Sequence, residues 1–178
     1  MTYKTENDIW RDMIALFNEA LTAKSITGMT VMRALQPVDV TGKSLILLQR
    51  VNARRYGWRG RHETTVADSL RHVENYYKEM RFQITVLKKI DITKINELTA
   101  TDIADMLVDY LLSDIGLKSL RSRGYMPLRI VDIREPSFNN ESENYQIHPN
   151  FDLICYVQQE TSESQKVIEG HSFNLNGV

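Results

Sequence analysis

Residues 50–62 hold the densest set of side chains that could recognise another molecule. Arg50, Arg54, Arg55, Arg59 and Arg61 interleave with Tyr56 and Trp58, and Gly57 and Gly60 loosen the backbone between them. Guanidinium groups pair with phosphates and aromatic rings stack on bases, so such a mixture suits single-stranded nucleic acid. The same residue types, Trp, Tyr and Arg, are also the commonest anchors of protein interfaces. An unspecialised surface loop is the third reading. Over the whole chain 22 Lys and Arg face 23 Asp and Glu, a net charge of −1. A dedicated nucleic-acid binder is usually more basic, so the balance favours a protein interface.

A second constellation is acidic. Asp102, Asp105 and Asp109 share one face of an expected helix, and Asp114 follows. Carboxylates so spaced read as a solvated face, or as the complement of a basic patch on a neighbouring subunit. The four histidines, His62, His72, His148 and His171, are scattered without the i, i+4 spacing of zinc ligands. Gly57-x-x-Gly60 is too short for a phosphate loop and lacks the following lysine. Cys155 sits in the apolar run 151–157 and reads as a buried small hydrophobe, since a reactive thiol wants a base and an electropositive setting. No nucleophile stands with a base and an orienting partner. The expectation is a protein that is not an enzyme and uses neither cofactor nor metal.

The elements that must position these residues follow from periodicity. Residues 6–23 carry Ile9, Trp10, Met13, Ile14, Phe17 and Leu21 at helical spacing, with Thr5 or Asn7 as cap. Residues 29–35 and 44–51 read as strands separated by a turn over 38–43. Residues 52–72 break the pattern and read as an exposed arginine-rich loop or a long hairpin tip. Residues 76–88 alternate, with Phe82, Ile84 and Val86 on one side and Arg81, Gln83 and Thr85 on the other. Residues 99–113 form a second helix, capped by Thr99 or Thr101, and a short third helix ends at Gly124. Strands at 128–134 and 151–157 flank a polar, turn-like stretch at 137–147. The 178 residues thus predict one α+β domain over 1–160, a mostly antiparallel mixed sheet with helices packed on one face, followed by a C-terminal arm or flexible tail at 161–178. No signal peptide and no membrane-spanning stretch is legible, so folding in a cytoplasm and no membrane partner are expected.

Residues 76–160 carry a resemblance. The run YYKEMRFQITVLKKID leads to TATDIADMLVDYLLSDIGLKSLRSRGYMPLRIVDIREP and then to NFDLICYVQQ. An alternating strand, a helix, a Leu-x-x-x-Gly turn, a strand ending in Arg-Glu and an aromatic-acidic strand follow one another. This order resembles the tail-terminator, or neck, proteins of long-tailed phages. The family's usual Gly-x-x-Ala link into the helix is replaced here by the longer stretch 90–98, which has no glycine.

The resemblance implies a structural virion protein at the head–tail junction, assembled in the host cytoplasm. It would close as a homohexameric ring that caps the tail tube and ends its polymerisation. It would also join the tail to head-completion proteins, with a sheath contact if the tail is contractile and DNA passing its lumen. A head-to-tail ring needs two different patches per subunit. The arginine segment (Arg50, Arg54, Arg55, Tyr56, Trp58, Arg59, Arg61) and the acids (Asp102, Asp105, Asp109) are the candidate pair. The alternative function is a nucleic-acid-binding accessory protein that uses the same Arg50–Arg61 segment.

Overall fold

The computed structural model describes residues 4–34, 44–66, 69–88, 97–139 and 145–166. Helix α1 (Glu6–Ala23) is followed by β1 (Thr30–Arg33), β2 (Leu45–Val66) and β3 (Ser69–Leu87). Helices α2 (Ala100–Leu112) and α3 (Asp114–Ser122) come next, then β4 (Tyr125–Arg134), β5 (Ser137–Asn139), β6 (Tyr145–Ile147) and β7 (Asn150–Lys166). Five strands form one sheet in the order β1-β2-β3-β7-β4, and β5 and β6 form a separate small hairpin. Only β1 and β2 pair in parallel; every other neighbour is antiparallel. The α+β architecture expected from the sequence is the one observed.

Local chemistry fixes where the helices begin. Thr5 Oγ1 accepts from the Asp8 amide at 3.2 Å, and the Asp8 carboxylate accepts from the Thr5 amide at 3.0 Å. Thr99 and Asp102 repeat this reciprocal cap at the start of α2. Each cap satisfies two amide donors that a bare helix end leaves open. Past α3, Gly124 adopts φ +80°, a left-handed conformation that turns the chain into β4 at little steric cost.

One face of the sheet meets the helices. Ile46 and Leu48 of β2, Phe82 and Ile84 of β3, and Phe151 and Leu153 of β7 are all buried there. They pack with Trp10, Leu16 and Phe17 of α1 and Ile103, Leu107 and Leu111 of α2 in one core. Trp10 meets Phe82 edge-on, with ring centroids 5.8 Å apart. Removing an aromatic such as Phe82 from this core would cost about 3–5 kcal/mol.

Two expectations need refinement. Of the two readings of 52–72, a loop or a long hairpin tip, the structure has the hairpin: residues 52–66 and 69–72 continue β2 and β3, paired from Leu45↔Leu87 out to Val66↔Ser69. The irregularity read from Gly57 and Gly60 is real but local, a register shift between Tyr56 and Gly60, with another between Arg50 and Asn52. Residues 161–166, read as the start of an arm, are the end of β7 and pair with β3 as far as Ser69↔Lys166; 167–178 lie outside the described residues, as does the turn at 38–43. The physical reason is shared. Past Met80 and Val157 the side chains of this three-stranded ribbon are mostly exposed or half-buried, so the apolar alternation that marks a strand in sequence is missing. The polar stretch at 137–147 likewise contributes the short strands β5 and β6.

Candidate functional site

The ribbon has two faces, and the register sorts the arginine segment between them. Cross-strand partners in an antiparallel sheet point the same way. Arg55 and Arg61 lie on the helix side, opposite Lys78 and Glu74; Arg54 and Tyr56 lie on the bare side, which meets no helix among the described residues, opposite Glu79 and Tyr77. The side chains of 57–59, including Trp58 and Arg59, lie outside the described residues.

Most of these cations are engaged within the chain. Arg54 Nε and an η nitrogen donate to the two Glu79 carboxylate oxygens at 3.0 and 3.3 Å. Those bonds hold the Arg54 guanidinium above its ordinary pKa. Arg61 pairs with Glu74 at 3.0 Å. The Arg55 guanidinium lies 4.8 Å over the Tyr76 ring. Arg50 reaches Glu6 on α1 at 3.4 Å, and Arg33 reaches the same carboxylate at 3.0 Å. The hydrogen bond from Trp10, followed by the Arg50 charge, keeps Glu6 below the usual carboxylate range.

The acids are placed elsewhere. Asp102 serves the Thr99 cap, and the cap's hydrogen bonds lower its pKa, with Lys88 adding to the effect. Asp105 and Asp109 are exposed on α2 and have no ion-pair partner among the described residues. Lys88 follows β3 at its inner end, whereas Glu79 and Glu74 mark the arginines further out. Eight residues of strand separate Leu87 from Glu79, roughly 26 Å. Among the described residues no ion pair joins the two candidate patches within one subunit. Among the described residues no group of three or more His, Cys, Asp or Glu is placed to hold a metal ion.

The bare face of the sheet holds what periodicity did not reveal. Tyr56 stacks on Tyr156 at 5.1 Å, and Tyr77 lies 6.5 Å from the same ring. Met126 of β4 is in register with Tyr156. Beside this row Asp152, only 1% exposed, accepts from Arg81 and from Arg134, the latter at 3.0 Å. Sequence alternation set Arg81 on the polar side of its strand, but nothing in the sequence tied it to a carboxylate 71 residues away.

A family model described as the E217 gateway protein gp29 matches residues 9–166. No curated protein matches the chain. Among solved structures, the cryo-EM sheath/tube terminator of an extracellular contractile injection system, PVC, in its extended state, superposes with a TM-score of 0.59 at 12% identity. The alignment takes in all of this chain and 65% of that one, so the chain spans about two thirds of the terminator's length. At that identity the likeness is one of fold. The chain thus belongs to the phage E217 gateway protein gp29 family and has a tail-terminator fold, as the resemblance of residues 76–160 implied.

Proposed function

We propose that the chain is the subunit of a tail-terminator ring that caps the tail tube, ends its polymerisation and joins the tail to neck proteins. The observation that carries this reading is the family match over residues 9–166, nearly the whole chain, to a protein described as a gateway. The likeness in fold to a sheath/tube terminator supports it. In this reading the protein works by binding and not by catalysis. It assembles as a homohexamer at the head–tail junction and meets the tube, the neck proteins and, in a contractile tail, the sheath.

The nucleic-acid alternative loses support from the ion pairs. Arg50, Arg54 and Arg61 are paired with carboxylates of the same chain, and a phosphate would have to displace them. The test is a virus lacking this protein. It is expected to yield filled heads without tails, and free tubes of uncontrolled length, both restored by supplying the chain in trans. Normal tails joined to heads in its absence would overturn the proposal.

A further inference from the structure

Seven large apolar side chains are exposed among the described residues, and five of them fall in two patches. Tyr56 (51%), Tyr77 (39%) and Met126 (45%) surround Tyr156 on the bare face of the sheet. Leu112 (58%) and Ile115 (67%) stand at the junction of α2 and α3, in the opposite layer of the molecule. Apolar groups gathered in this way mark contact surfaces, whereas single exposed ones are ordinary.

Charge distinguishes the two patches. Asp102, Asp105, Asp109 and Leu112 follow one another at i, i+3, i+7 and i+10, one outward stripe of α2. That helix contains no basic residue. The sheet patch is flanked by arginines: Arg81 and Arg129 are the β3 and β4 neighbours of Ile154. Arg81 shares the single buried carboxylate of Asp152 with Arg134, and exposed Arg129 has no ion-pair partner among the described residues. The dimensions also agree. Ten residues of helix span about 15 Å, and the row from β4 across β7 and β3 to β2 spans about 15 Å.

From these matches we infer that the acidic stripe of α2, with Leu112 and Ile115, docks on the tyrosine–methionine row of a second copy of this chain, with Asp105 and Asp109 facing Arg81 and Arg129. The two surfaces lie on opposite layers of one subunit. The contact is therefore head to tail, and it can close a ring. It rests on the ring reading above and names the surfaces that make the ring. The apolar row supplies the buried centre and the charges fix orientation and register. The acids keep the role expected of them, while their partners move from the outer arginine segment to the bare face beneath it.

The test uses the full chain and two double variants. The helix variant is Asp109→Arg with Ile115→Arg; the sheet variant is Tyr77→Glu with Arg129→Glu. All four positions are exposed, and circular dichroism checks that each variant is folded. Native mass spectrometry across a concentration series is expected to show closed oligomers for the parent and monomers for each variant, with self-affinity weakened roughly tenfold or more. An equimolar mixture is expected to give a dimer and nothing larger, because each variant keeps one intact surface. Variants that close rings like the parent would overturn the inference, as would a mixture that stays monomeric. So would a parent that is monomeric at every concentration yet still restores tails in trans; in that case the terminator reading stands. Failure of trans-complementation by a parent that does form rings would remove the terminator reading and leave the docking surface in place.

Discussion

Replacing Gly116 by alanine tests whether the α2–α3 corner is as tight as the backbone indicates. Helix propensity alone favours the change: Gly116 lies within the first turn of α3, and alanine gains about 1 kcal/mol over glycine in a helix. Packing opposes it. A Cβ at this position would stand 2.1 Å from the Tyr110 carbonyl oxygen and 2.9 Å from its carbon, with the Leu111 Cα at 3.0 Å. All three atoms are backbone, so no side chain can swing aside. The Tyr110 carbonyl is further held by the Ser113 amide at 3.1 Å and by Ser113 Oγ at 2.6 Å. Relief requires the two helices to part by about 1 Å, and both pack into the core through Tyr110, Leu111 and Leu120. Overpacking of this kind costs about 1–3 kcal/mol, and rigid neighbours push it to the upper end. The net expectation is a loss of about 2 kcal/mol, or roughly 4–8 °C in Tm for a domain of this size. Differential scanning calorimetry reads it, with exposed Lys118→Ala in the same helix as a control expected to stay within about 0.5 kcal/mol of the parent. Gly28→Ala supplies a contrast, because its φ of +75° strains alanine while nothing lies within 4 Å of the new carbon; it should lose only about 1 kcal/mol. A Gly116→Ala protein that melts at or above the parent would refute the reasoning.

Asp152→Asn removes the carboxylate shared by Arg81 and Arg134 and should lower stability by about 1–2 kcal/mol, moderated because both arginines are partly exposed; a urea midpoint equal to the parent's would count against the triad. Part of the acid sensitivity should come from the helix caps: Asp8 and Asp102 both have pKa values lowered first by hydrogen bonds from their cap threonines. A depressed folded-state pKa adds stability above the unfolded value near 4 and loses it as pH falls through the folded value, so Tm should hold from pH 7 to 5 and fall below about 4. Thr5→Ala with Thr99→Ala should flatten that fall, and an unchanged profile would show that the caps do not carry it. Burial pushes the Cys155 thiol up to about 12, so iodoacetamide at pH 8 should label it only at the rate of unfolding; rapid labelling of the native protein would contradict its place in the core.

The parts of the fold that touch the core were readable in advance, because burial imposes a period on the sequence. The helix expected at 6–23 and the one expected at 99–113 match α1 and α2 to within a residue at each end, since amphipathic spacing and cap residues agree there. The strand segments at 128–134 and 151–157 fall within observed strands, and those at 44–51 and 76–88 do so to within one residue. The third helix is expected from its end at Gly124; its start is set by Ser113, whose side chain caps α3 by accepting from the Gly116 amide at 3.2 Å. What stayed hidden was strand without core and contact without local spacing. Arg54 meets Glu79 and Arg61 meets Glu74 only because the hairpin register brings them together. Asp152 depends on β7 lying between β3 and β4, an order no local pattern encodes.

The composition of residues 52–66 follows from this architecture before any partner is considered. A strand of 22 residues reaches roughly 70 Å, well beyond the helices that cover its inner end. Outside that cover the described residues bury only scattered apolar side chains such as Val73 and Tyr76, so cross-strand side-chain pairs must carry much of the stabilisation, each contributing about 0.2–1 kcal/mol. The observed pairs are ionic and aromatic: the two-pronged Arg54–Glu79 bridge, the Tyr56–Tyr156 stack, Arg55 over Tyr76, and Arg61 with Glu74. Long cationic and aromatic side chains are needed because they reach diagonal neighbours as well as direct ones. An arginine–aromatic run that looks like a recognition element in sequence is, in this protein, first the means by which an uncovered sheet keeps its register. What the run adds to the proposed docking surface is the exposed face of Tyr56, beside Tyr77 of β3, on the side that meets no helix among the described residues.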